Sequence, residues 1–115
     1  MDSVTERARR AESVAVAQAV LLGDLDAVRG AWGLSGLRHD WEAEDDPDFL
    51  FMSGVASETD GFPLGPERSH WHPSALARND AELAEVIAWW DASVREACRR
   101  IVDRYGPTVL GPVAR

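Results

Sequence analysis

Apolar residues recur along this chain at helical spacing, punctuated by glycine and proline. From Ser3 to Leu22 they fall at Val4, Ala8, Ala11, Ala15 and Leu22, with Arg and Glu filling the other face. A period near 3.6 predicts an amphipathic helix. Ser3 followed three residues later by Glu6 has the form of a capping box, in which hydroxyl and carboxylate each satisfy a free backbone N–H. Gly23 is placed to end that helix. Asp24 is the expected cap of a second, shorter helix reaching about Trp32, with Leu25, Val28 and Trp32 on one face. Gly30, Gly33 and Gly36 predict a loose stretch, from which Leu34, Leu37 and Trp41 tuck onto the core.

The run Phe49 to Ala56 is apolar enough to be either a buried strand or a helix. As a helix it gathers Phe49, Phe51, Met52, Val55 and Ala56 on one side and Ser53, Gly54 and Ser57 on the other, with Leu50 misplaced. Asp46 as N-cap, Pro47 at the first helical position and Asp48 in the first turn favour the helix. Residues 58–73 read as a loop, with Asp60-Gly61 and Gly65-Pro66 as turns and Phe62 and Leu64 as anchors. Pro73-Ser74 starts a short helical turn. Asn79 or Asp80 restarts a long helix with the stripe Leu83, Ile87, Trp90, Val94, Cys98, Ile101 and Tyr105, ended by Gly106-Pro107. The expected fold is an all-α, single-domain bundle of about four helices over residues 1–115, with a long structured loop and a short tail at 106–115. The alternative is an α+β fold with residues 49–57 as a strand.

Charge divides the chain unevenly. The formal net charge is −8, and the whole excess lies in 40–60, where Asp40, Glu42, Glu44, Asp45, Asp46, Asp48, Glu58 and Asp60 occur without a base. That argues against nucleic acid as a partner. Every base is Arg, which favours forked pairing with carboxylates. Cys98 has no second cysteine to pair with, so a reducing, cytoplasmic setting is expected. Arg7 to Arg10 precede an apolar stretch from Val14 to Leu22, but Gln18 interrupts it and no small-residue cleavage pattern follows. No window has the length of a membrane span.

Candidate chemistry is sparse. His70 and His72, with Glu58 and Asp60 across the loop, form a weak mixed nitrogen and oxygen metal-site candidate matching no established spacing. Counted from Asp45 as a calcium loop, Leu50 stands where glycine is needed and Ala56 where the bidentate acid belongs. No serine lies in a nucleophile turn and no glycine-rich phosphate loop precedes a helix. Cys98, on the long helix's apolar stripe, is expected to be buried and inert. Arg68 is expected to pair with Glu58 or Asp60 and stiffen the loop, leaving the acidic segment Glu44, Asp45, Asp46 and Asp48 free for a cationic partner. Trp89 and Trp90 lie about 100° apart on a helix, so one of them is left at a border or contact.

The stretch Ser57-Glu58-Thr59-Asp60-Gly61-Phe62-Pro63-Leu64-Gly65, followed by Arg68 and Trp71, resembles a signature of small bacterial proteins of uncharacterised function. The likeness covers about fifteen residues and implies a structural clamp or a binding surface, with no reaction attached. Three functions follow as expectations. The first is a cytoplasmic binding protein, such as an immunity-type or regulatory inhibitor, whose partner presents a basic surface to Glu58, Asp60, Arg68, Trp71 and the 44–48 acids. The second is a metal protein or enzyme with Glu58, Asp60, Arg68, His70 and His72 as its site. The third is a homodimer joined through Trp89.

Overall fold

The computed structural model describes residues 3–110. Four helices follow one another: α1 Val4–Leu22, α2 Ala27–Leu37, α3 Pro47–Glu58 and α4 Pro73–Leu110, with a 3₁₀ turn at Pro66–His70 before the last. No strand occurs among the described residues, so 49–57 is helical. α4 lies along α1 and α2, while α3 packs mainly on α2. No described helix is long and apolar enough to cross a membrane.

α1 begins as its capping box predicts: Ser3 Oγ accepts from the Glu6 N–H, and Glu6 accepts from the Ser3 N–H. It ends at Gly23 in the left-handed conformation, φ 84°. Its inner face differs from the expected stripe. Ser13, Val14, Ala17 and Val20 are buried, whereas Val4, Ala8, Ala15 and Leu22 are exposed. Small apolar residues surround this helix, so its own period does not select a face; the neighbouring helices do.

α2 is capped by Asp26, not Asp24. The Asp26 carboxylate accepts from the Arg29 N–H at 2.8 Å and pairs with the Arg29 guanidinium. The helix runs through Gly30, Gly33 and Gly36 to Leu37. Gly30 permits this by close approach, since a Cβ there would stand 2.3 Å from Val20 Cγ2 of α1. α3 starts as expected, with Asp46 Oδ1 accepting from the backbone N–H groups of Asp48 and Phe49 and Pro47 in the first turn. Phe49, Met52 and Val55 are buried and Leu50 is exposed.

α4 is one helix where two were expected. Asn79 does not cap a new start; its amide donates back to the Ala75 carbonyl. His72 caps the helix instead, its Nδ1 accepting from the Ser74 N–H at 3.2 Å and its carbonyl accepting from the Leu76 N–H. Gly106-Pro107 does not end α4 either. Pro107 lacks an N–H and so forgoes one backbone bond, yet the helix continues to Leu110. Residues 111–115 of the expected tail lie outside the described residues.

The main core joins Ala17, Val20, Leu34, Phe49, Met52, Val55, Val94, Cys98 and Ile101. Arg95 of α4 donates to the Val20 and Leu21 carbonyls at 2.8 and 3.0 Å at the end of α1, where Val20 also accepts from the Gly23 N–H. Two indoles tie distant segments together through buried hydroxyls. Trp41 Nε1 donates to Ser13 Oγ, and Trp32 Nε1 donates to Thr59 Oγ1, both at 2.8 Å.

Candidate functional site

The acidic segment between α2 and α3 is held against the bundle by its alternating pattern. Trp41 and Ala43 face inward and are buried; Glu42, Glu44 and Asp45 are exposed. The Trp41 ring meets Tyr105 edge-on at 4.8 Å and Phe49 at 5.5 Å, and the Arg10 guanidinium lies over it at 5.4 Å. Such aromatic pairs contribute about 0.5–1.5 kcal/mol each beyond their burial. The chain turns at Glu42, whose φ of 46° is in the left-handed region, while the Ala43 N–H reaches back to the Arg38 carbonyl at 3.3 Å. A non-glycine residue held there costs on the order of 1 kcal/mol.

The two acids that begin α3 point inward and are already paired. Asp48 accepts from Arg100 Nε at 3.0 Å and from Arg104 Nη2 at 2.7 Å. Asp46 accepts from Arg104 Nη1 and from the Tyr105 hydroxyl. Burial pushes the Asp46 carboxyl upward, but the hydrogen bonds from Tyr105, Arg104 and the Asp48 N–H outweigh it and hold the group below its ordinary value. Hydrogen bonds to Asp48 and then Asp46 raise Arg104. Tyr105 is raised by burial and by its bond to Asp46. The expectation that 44–48 is free as a unit is therefore corrected. Asp46 and Asp48 pair with Arg100 and Arg104 of helix α4, and Glu42, Glu44 and Asp45 remain outside. Those three, with Asp46 and Tyr105, line a concavity of about 370 Å³. Asp40, Glu42, Glu44 and Asp45 form no ion pair among the described residues.

The loop clamp is also corrected. Arg68 does not hold Glu58 or Asp60. Its guanidinium makes a forked pair with Asp80 of α4 at 2.9 and 2.8 Å and donates to the Pro63 carbonyl at 3.0 Å. Order along the chain does not reveal the contact, because Asp80 lies twelve residues on and inside α4, which begins at Pro73. The hydrogen bond from Arg68 holds the Asp80 carboxyl low. Glu67 accepts from the Gly65 and Leu64 N–H groups, which also lowers it. Trp71 is partly exposed, and Glu58 and Asp60 are exposed. The stretch resembling the bacterial signature thus has its loop tied to α4 by arginine, and its buried members are Thr59 and Pro63. The Thr59 hydroxyl donates to the Val55 carbonyl at 2.8 Å while accepting from Trp32.

The histidines do not assemble with the loop acids. His72 is engaged with Ser74 at the start of α4, and His70 is exposed. Among the described residues no group of three or more His, Cys, Asp or Glu side chains is placed to hold a metal ion. Cys98 is buried, and burial pushes its thiol up to about 11. Trp90 is half-buried and meets Phe51 at 6.0 Å, whereas Trp89 is 79% exposed. A thiol this reluctant to ionise is no nucleophile at neutral pH. What the arrangement offers is a set of exposed carboxylates and an exposed indole. No protein-family model, no curated protein and no solved structure matches this chain.

Proposed function

We propose that this chain binds a basic protein partner through Asp40, Glu42, Glu44 and Asp45, as an immunity-type or regulatory inhibitor does. The supporting observation is the division of the acidic segment. Asp46 and Asp48 are consumed in anchoring α3 to α4, and Trp41 and Ala43 pin the strip between. The exposed carboxylates are then displayed on backbone already ordered, so a partner need not supply that ordering free energy. A net charge of −8 adds long-range steering of a cationic partner. A cytoplasmic setting goes with this reading and draws support from the single, buried thiol.

The test uses the variant Glu42→Gln/Glu44→Gln/Asp45→Asn, which changes exposed groups only. A protein captured from an extract of the source cells is purified, and its association rate is followed from about 0.05 to about 0.3 M salt. The expected result is a rate at least about tenfold lower at the higher salt, and similarly lower for the variant at low salt. A rate indifferent to both, or no captured protein at all, refutes the reading.

A further inference from the structure

We propose that the groove between the end of α3 and the middle of α4, built from Trp89, Glu58 and Glu85, receives an arginine side chain of the same basic partner, and this rests on the reading above. Glu58, Glu85, Val86, Trp89 and Trp90 surround a space of about 300 Å³. Trp90 meets the Phe51 ring edge-on. Among the described residues, Trp89 carries the largest fractional exposure of the exposed large apolar side chains. An indole left in water forfeits the burial that a residue of its size ordinarily gains. Neither flanking carboxylate forms an ion pair among the described residues.

The chemistry of the lining selects the occupant. An apolar side chain entering here would strip water from Glu58 and Glu85 and return nothing to them. A guanidinium compensates both, because its planar face stacks on the indole while its N–H groups reach carboxylates. The space suits one long side chain.

Position supports a shared partner. Asp46 and Asp48 at the start of α3 meet Arg100, Arg104 and Tyr105 of α4, while Glu58 at its end lines the groove with residues 85–90. α3 therefore runs opposite to α4 along one flank, with the acidic concavity at one end and the indole groove at the other. Trp89 and Tyr105 are sixteen residues apart on α4, roughly 24 Å at helical rise. An extended segment of about seven residues matches that axial separation.

The probe is a synthetic peptide alternating arginine with pairs of glycines, and its control replaces each arginine by neutral citrulline. The readout is the indole N–H signal of Trp89 in a nitrogen–proton correlation spectrum, identified by its loss in Trp89→Ala. The arginine peptide is expected to move that signal, and the citrulline peptide is not. Affinity should fall about fivefold or more in Trp89→Ala and in Glu58→Gln/Glu85→Gln. If the arginine peptide binds through Glu42, Glu44 and Asp45 while the Trp89 signal stays still, this inference fails and the functional proposal stands. If the Trp89 signal moves but captured-partner association ignores Glu42, Glu44 and Asp45, the reverse holds. A signal that moves equally with citrulline, or with protein concentration alone through a second copy of the chain, overturns the inference. So does the absence of any peptide binding.

Discussion

Arg104→Met is the sharpest probe of how the acidic segment is seated. Methionine keeps an unbranched apolar stem beside Tyr105 but removes both ion pairs with Asp46 and Asp48. Those carboxylates are only 6% and 7% exposed, whereas the Arg104 side chain is 39% exposed. Breaking a fully buried pair costs about 3–5 kcal/mol, and breaking an exposed one about 0–1 kcal/mol. Asp48 retains Arg100, and Asp46 retains Tyr105 and backbone N–H groups. The expected loss is therefore about 2 kcal/mol. For a chain of this length, unfolding entropy converts that into a Tm lower by roughly 8 °C. Urea unfolding should move its midpoint without changing its slope. Asp48→Asn should cost about 1–2 kcal/mol, and the double variant less than the sum by about 1 kcal/mol, because both changes break one network.

The pH dependence has a definite sign. Asp46 ionises more readily when folded than its ordinary value of 3.8. Its contribution is thus complete above that value and is lost as pH falls through the depressed folded one. Arg104→Met should shrink this acid-limb loss. A variant within about 0.5 kcal/mol of the parent, additive with Asp48→Asn, would mean the network is decorative.

Gly30→Ala should destabilise by about 2 kcal/mol, overpacking against Val20 outweighing the gain in helix propensity, whereas Gly36→Ala, with nothing near its added Cβ, should stabilise by about 0.5–1 kcal/mol. Thermal melts of the two variants test this, and equal shifts would contradict it. Glu42→Gly should raise stability by about 0.5–1 kcal/mol by relaxing the left-handed position, yet slow association with a basic partner; a variant that melts lower than the parent counts against the strain. Cys98 should resist thiol reagents at pH 8 until denaturant opens the core, and prompt labelling of the folded protein would contradict its burial.

Local chemistry was sufficient for much of this molecule. The capping box at Ser3 and Glu6, the left-handed stop at Gly23, the Asp46-Pro47 start of α3 and the stripe from Leu83 to Tyr105 all act within a turn or two of themselves. Such signals need no partner, so they can be read from order alone. The inner face of α1, the passage of α2 through three glycines and the unbroken α4 depend on neighbours. Val20 must meet Gly30 for the glycine to be useful, and only packing against α2 and α4 selects Val14 and Ala17 over Ala8 and Ala15. The anionic middle was legible as charge, but not as two populations. Asp46 and Asp48 differ from Glu42, Glu44 and Asp45 only because Arg100 and Arg104, more than fifty residues away, arrive beside α3. Arg68 likewise chose Asp80 over the nearer acids, since ion pairing follows distance in space and the fold sets that distance.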